Sequence, residues 1–230
     1  MIVRLHSLSA RAPAMTDLSA VAELLIACDL AENGIADPTE EDVRNAWLAP
    51  GFNLKTDAWV IVTHNGGRIV GYADVHYKAE GQYTTTLRVH PDYCGRGIGT
   101  LLIWLVEERA RQLMSDLRSD LCVTLSTVVS SLNLKARQLL EREGYTLTRR
   151  FWRLMIEMED MPDNAVDDLY QRGKFKMDLV IDKDQLVGAT PFQKRTGIYT
   201  TRQYEVHEKV LRDGCTQEIE NALNMQFATV

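Results

Sequence analysis

Cysteine is scarce and scattered. Cys28, Cys94, Cys122 and Cys215 form no Cys-x-x-Cys pair and sit in no Cys/His cluster. That excludes a zinc site of the usual spacing and a disulfide framework, so no metal is expected. A reducing cytoplasm is the compartment this usage suits. Long apolar runs are missing as well. None approaches the roughly 20 residues of a membrane span, so no membrane partner is expected, and residues 1–13 lack the apolar core of a secretion signal. Basic charge is not in excess: the formal net charge is −6, which excludes the cationic face of a general nucleic-acid binder. With 45% apolar and 25% charged residues the composition is that of a globular protein, and 230 residues suffice for one large domain or one domain and a fragment.

The stretch Leu87-Arg88-Val89-His90-Pro91-Asp92-Tyr93-Cys94-Gly95-Arg96-Gly97-Ile98-Gly99-Thr100 organises the rest. A β-branched run from Tyr83 to Val89 stops at Pro91, which cannot donate to a ladder. Three glycines at alternate positions follow, and then a long helical pattern begins. Glycine permits positive φ and close approach to the backbone. A helix N-terminus adds unpaired N–H groups and the positive end of a dipole. Together they form an anion cradle suited to phosphate. A Rossmann fingerprint would need glycine where Thr100 stands, and a P-loop would need a lysine that is absent.

The remaining elements follow from pattern and punctuation. Residues 2–5 read as a first strand. A helix runs from Thr16 or Asp17 to Glu32 and ends at Asn33-Gly34. A second opens at Thr39 with acids in its first turn. Residues 58–63 and 68–77 read as antiparallel strands around an Asn65-Gly66-Gly67 turn, with 83–89 as their antiparallel neighbour. Alternation puts Tyr72, Asp74 and His76 on one side of their strand. The helix from Ile98 to about Met114 has a polar stripe at Glu107, Glu108, Arg111 and Gln112. The apolar run 121–129 is a strand covered on both faces, which makes 83–129 a βαβ crossover. Ser130 or Ser131 caps a helix that Gly144 ends, and a strand follows from Tyr145 to Met158.

Val-x-Pro-x-x-x-Gly-x-Gly-x-Gly resembles the pyrophosphate loop of the GNAT acetyltransferase superfamily. Asn133-x-x-Ala136-x-x-Leu139-Leu140-Glu141-x-x-Gly144-Tyr145 resembles that family's second motif, and the likeness spans about residues 2–158. It implies an α/β fold with a mixed sheet: mostly antiparallel N-terminal strands and a βαβ acyl-CoA-binding core. It implies an acetyl-CoA-dependent N-acetyltransferase that transfers directly to the amine of a small molecule. The cofactor-binding residues implied are Leu87, Val89, Cys94, Gly95, Arg96, Gly97, Ile98, Gly99, Thr100 and Asn133. Cys94 replaces the usual Arg or Gln. The strand before the loop has Thr84-Thr85-Thr86 where many relatives place a carboxylate, so Asp74 and His76 are the substitute bases. Leu140 stands where the family has its acid Tyr, so Tyr145 or Tyr93 substitutes, or the thiolate leaves unaided. Asn133 either touches the cofactor arm or caps its helix. These departures also admit a non-catalytic acetyl-CoA-binding module.

The tail repeats part of this segment. Residues 133–158 and 186–211 align without a gap, matching Ala136 with Ala189, Gly144 with Gly197 and Arg149 with Arg202. The expected division is 1–160 as the acetyltransferase domain and 161–230 as a strand-helix-strand fragment of a second unit. This resembles tandem-domain members such as mycothiol synthase. Residues 160–168 would be the linker and Cys215 to Met225 a terminal helix. A fragment with exposed edges must dock on the first domain or on a second chain, which makes a homodimer an expected partner.

Overall fold

The computed structural model describes residues 7–34, 36–64, 67–156, 175–179 and 198–214. The expected strand 2–5, the Asn65-Gly66 turn, the 160–168 linker, the tail helix and the terminal helix lie outside these residues. The first described strand is β1 (Leu8–Arg11). Helix α1 (Leu18–Asn33) ends at Gly34 in the left-handed region, φ +76°. Helix α2 (Glu40–Trp47) opens with a capping box: Thr39 Oγ1 accepts from the Asp42 N–H and the Asp42 carboxylate accepts from the Thr39 N–H.

Strands β2 (Ala58–Thr63), β3 (Ile69–Asp74) and β6 (Leu87–Val89) join β1 in a four-stranded antiparallel sheet, ordered β1-β2-β3-β6. All six residues of β3 are buried because both faces are covered. On one face α1 and α2 bring Val21, Leu24, Cys28 and Trp47 against Val60 and Tyr72. On the other, Ile98, Leu102 and Val106 of α3 (Ile98–Leu113) pack on Ile61 and Val70.

Two strands read as continuous are interrupted. The 68–77 run breaks at Val75 into β3 and β4 (His76–Ala79), and the 83–89 run breaks at Thr86 into β5 (Gln82–Thr85) and β6. The cause is Asp74. Its Oδ1 takes the Thr86 N–H at 2.7 Å, a ladder donor captured by a side chain. Beyond these breaks the chain enters a second sheet, in which β4 and β5 are followed by β7 (Val123–Ser130), β10 (Ile198–Arg212), β8 (Thr146–Ile156) and β9 (Phe175–Leu179), in that order. There β5 pairs in parallel with β7 (Val123–Ser130), from Gln82↔Thr124 to Thr85↔Thr127, which makes β5-α3-β7 the expected crossover.

Helix α4 (Leu134–Arg142) is capped by Asn133, whose Oδ1 accepts from the Ala136 N–H; Ser130 and Ser131, the expected caps, lie one turn too early. Ser130 Oγ instead donates to Asn33 at the end of α1. The tail strand β10 (Ile198–Arg212) lies between β7 and β8 (Thr146–Ile156), antiparallel to both. Strand β9 (Phe175–Leu179) pairs with the far side of β8. The two tail strands therefore flank β8 and do not pair with each other, and the tail's last strand is an inner strand of the sheet that carries β5 and β7.

Glu107 departs from the expected polar stripe of α3. It is only 4% exposed, held by Lys209 Nζ at 2.7 Å and Arg111 at 2.7 Å. Lys209 comes from β10, so the partner of Glu107 is a hundred residues away in sequence.

Candidate active site

His90 fixes the turn that leaves β6. Its Nδ1 accepts from the Asp92 N–H at 3.3 Å, and Nε2 lies 2.7 Å from an Arg68 guanidinium nitrogen. Burial, then the Arg68 charge, hold its pKa below the ordinary imidazole range, which suits a neutral acceptor. Beyond the short turn Pro91–Tyr93, Gly95 and Gly97 take φ of +79° and +81°. No Cβ-bearing residue adopts these values without cost. Gly99 has a different reason: a Cβ there would sit 2.6 Å from Leu139 Cδ2, so it permits α3 to approach α4. The first intrahelical bond of α3 is Leu101 N–H to the Gly97 carbonyl. Among the described residues, the six N–H groups from Gly95 to Thr100 find no acceptor. They open onto the dipole end of a 16-residue helix.

This loop forms the mouth of a cavity of about 610 Å³. The cavity is a wedge between β6 and β7, which belong to different sheets beyond the break at Thr86. Leu87 and Val89 stand on one wall, and Val129, Ala136 and Leu140 on the other. Four charged side chains also line it. Lys135 and Arg142 come from α4, and Arg142 donates to Thr100 Oγ1 at 2.8 Å beside the loop. Arg88 and Glu32 come from β6 and the end of α1. Burial raises the Glu32 pKa, against the opposing Arg88 charge and the hydrogen bond from Asn133.

Of the expected cofactor residues, Leu87, Val89, Cys94, Gly95, Gly97, Gly99, Thr100 and Asn133 line the cavity. Arg96 and Ile98 do not. Arg96 folds back over the Tyr93 ring, 4.7 Å to its centroid, and donates to the Asp92 carbonyl. The Ile98 side chain is buried in the core beside Gly71. Of the two roles weighed for Asn133, the structure shows the cap of α4; its Nδ2 donates to Glu32 Oε1 at 2.6 Å within the cavity wall.

The expected proton-transfer residues are placed elsewhere. Asp74 and His76 do meet, Nε2 to Oδ2 at 3.4 Å, but neither lines the cavity. Asp74 is buried, with the Tyr72 hydroxyl donating to Oδ2 at 2.8 Å and the Thr86 N–H to Oδ1. Its oxygens hold the break between the sheets rather than face an acceptor. Tyr145 is also buried, in the core beneath Lys209, and burial together with Glu107 pushes its hydroxyl far above its usual pKa. It does not line the cavity. Tyr93 packs edge-on against His90. Glu32, Arg88, Lys135 and Arg142 were missed because each reads as an ordinary helix-end or strand residue. The alternation of Leu87-Arg88-Val89 contained the one available signal, a charge on the opposite side of the loop-feeding strand.

His76 itself stacks on Phe52, ring centroids 4.3 Å apart. Burial works against its charged form, but the Asp74 hydrogen bond and the Asp74 and Asp57 charges outweigh it and raise its pKa. A raised folded-state pKa gives stability that is present below the unfolded value and lost as pH rises through the folded one. Thermal melts from about pH 6 to about pH 9 should therefore show a fall in stability that is absent in His76→Gln. Parallel curves for the two proteins would refute the pairing.

The comparisons with known proteins agree with this fold. A structure of a GCN5-related N-acetyltransferase from Sphaerobacter thermophilus matches at a TM-score of 0.75 with 19% identity, covering 90% of this chain and 96% of that one. Another, yncA from Salmonella typhimurium solved with its cofactor acetyl-CoA, matches at 0.55 with 17% identity over 91% of this chain and 96% of that one. The ribosomal-protein-S18-alanine N-acetyltransferase of Escherichia coli matches at 0.51 with 15% identity, covering 89% and 94%. These likenesses establish the fold. No curated protein matches the sequence. The model of the acetyltransferase (GNAT) family matches residues 19–145, from α1 through the glycine loop to the end of α4, and with the unpaired loop amides at the cavity mouth this makes the chain a member of the GNAT acetyltransferase family, which uses acetyl-CoA.

Proposed function

We propose that the protein is an N-acetyltransferase that moves the acetyl group of acetyl-CoA directly onto the amine of a small molecule in the cytoplasm. The observation that carries this reading is the run of six unpaired N–H groups, Gly95 to Thr100, at the mouth of a 610 Å³ wedge. Those donors suit a diphosphate, and Arg142, which donates to Thr100 Oγ1 beside them, supplies countercharge. The edge of β6 that faces the wedge has no strand partner among the described residues, which leaves Leu87 to Val89 free to pair with the amides of a pantetheine arm. When bound, acetyl-CoA supplies the activated acyl group; the chain supplies binding, alignment and a dry wall of Leu87, Val129 and Leu140. With Leu140 at the position of the family's acid, the leaving thiol departs unprotonated, which an ordinary thiol pKa of about 8.5 tolerates.

The free thiols Cys28, Cys94 and Cys122 fit a reducing compartment. Among the described residues, strand β9 stands at the edge of its sheet, and pairing of two such edges is the route we propose to a homodimer, checked by sedimentation. A non-catalytic acetyl-CoA-binding module is the second reading, favoured by the apolar Leu140. Both predict that acetyl-CoA raises the melting temperature and gives saturable heat on titration. Only the enzyme releases free thiol with some member of an amine library. Absence of saturable binding would overturn both.

A further inference from the structure

The cavity has two sides with different chemistry. Leu87 and Val89 pack toward α3, with the loop amides and Arg142 on the cofactor side. Arg88 lies between them in sequence and so projects from the opposite side of β6. Its cross-strand partner is Tyr72, which packs with α1 and α2. Helix α1 crosses β6 here, and Cys28 Sγ donates to the Val89 carbonyl at 3.3 Å. One turn on, Glu32 enters the same cavity.

Both groups keep free valences. Arg88 donates once, to its neighbour's Leu87 carbonyl at 2.9 Å, and forms no ion pair with a described residue. Glu32 accepts from Asn133 through Oε1, while Oε2 has no partner among the described residues. The groups facing Glu32 are Arg88 of β6 and Asn133 at the start of α4, with Asp29 on its own helix. A partly buried cation and anion share one cavity without closing on each other within ion-pair distance.

Resting on the acetyltransferase reading, we propose that the acceptor is a small zwitterionic amine of the amino-acid class, its carboxylate held by Arg88 and its ammonium by Glu32, which takes the proton. The guanidinium fork matches a carboxylate, and a carboxylate matches an ammonium. A plain amine would leave Arg88 unpaired inside the cavity, and an acceptor without a cation would leave Glu32 so. In the step, the ammonium gives one proton to Glu32, and its nitrogen then attacks the acyl carbon. A C–N bond forms and the C–S bond breaks. The second nitrogen proton passes to the departing thiolate, and Glu32 returns its proton to water. Burial of Glu32 brings its basicity toward that needed for this transfer.

The test pairs each common L-amino acid with its decarboxylated amine. Thiol release is followed with acetyl-CoA, and binding to the CoA-loaded protein is followed by calorimetry. At least one amino acid should exceed its decarboxylated counterpart by about 100-fold in kcat/KM. Arg88→Ala should raise KM for that amino acid about 100-fold with little change in kcat, and Arg88→Lys should recover part of it. Glu32→Gln should lower kcat about 100-fold and remove the acid limb of the pH profile, while both variants keep acetyl-CoA affinity. If Arg88→Ala does not fold, the Arg88→Lys shift in KM and the calorimetric preference decide. Equal use of the two amine sets, inertness of all amino acids, or an Arg88→Ala loss that is the same for both sets overturns the proposal. If acetyl-CoA still binds in those cases, only the acceptor assignment falls; if it does not bind, the acetyltransferase reading falls with it.

Discussion

Gly97→Val is expected to lose at least about 100-fold in acetyl-CoA affinity while the protein still folds. Gly97 has a φ of +81°, and a β-branched residue forced there costs roughly 1–2 kcal/mol. That is less than the roughly 5–15 kcal/mol by which a native domain is stable, so the fold survives it. The protein itself has room for the side chain, since a Cβ at Gly97 meets nothing within 4 Å. The space is part of the cradle, so the methyl groups would stand where the loop amides point. A hydrogen bond to a charged group is worth about 1.5–3 kcal/mol, and displacing a diphosphate from two such donors removes about 3–6 kcal/mol. At 1.4 kcal/mol per tenfold, that is about 100-fold or more. Calorimetry with acetyl-CoA measures the loss, and a melting curve shows that folding survives. Unchanged affinity would place the diphosphate somewhere other than Gly95 to Thr100.

Glu205→Ala should be the most damaging change to stability. Glu205 of β10 is 2% exposed, with Arg150 Nε 2.9 Å from Oε1. Arg137 Nε and His207 Nε2 lie 2.7 and 3.2 Å from Oε2. Truncation would leave two guanidinium groups and a fully buried imidazole without their carboxylate, a loss of about 3–5 kcal/mol. Burial opposes the charged form of Glu205, but the Arg150 and His207 bonds and the two Arg charges prevail and lower its pKa. A depressed carboxylate gives stability that is present above the unfolded pKa and lost as pH falls through the folded one. Wild-type protein should therefore lose stability in acid more steeply than Glu205→Gln. Urea unfolding at neutral and acid pH measures both effects. Glu205 also pairs in register with Val129 and holds Arg137 of α4, so the same variant should loosen one cavity wall and weaken acetyl-CoA binding. A loss below about 1 kcal/mol would show the cluster to be solvated.

Most local structure was legible because its causes are local. Thr39 with its first-turn acids, the Gly34 stop and the Gly95/Gly97 pair each act within a few residues, and each element formed where they place it. The misreadings share one physical origin, contacts distant in sequence. Glu107 looks like a solvated stripe residue until Lys209 arrives from β10. Tyr145 looks like a free hydroxyl beside the second motif, yet the core closes over it. The runs 68–77 and 83–89 look continuous because nothing in either shows that the Asp74 side chain will capture the Thr86 amide.

By itself the sequence determined the anion cradle, since proline, glycine and a helix start dictate backbone conformation without help from elsewhere. It determined the mixed α/β class through the periods of its apolar residues. Only the tertiary structure decided what surrounds the cradle. The wedge exists because β6 and β7 belong to different sheets beyond a break held by Asp74, and Arg88 and Glu32 line one cavity because α1 crosses β6. Likewise only the fold put the tail strand between β7 and β8, where ladder bonds on both edges complete the sheet. Backbone geometry is a property of neighbours along the chain; pairing, burial and charge depend on which distant segments the folded chain brings together.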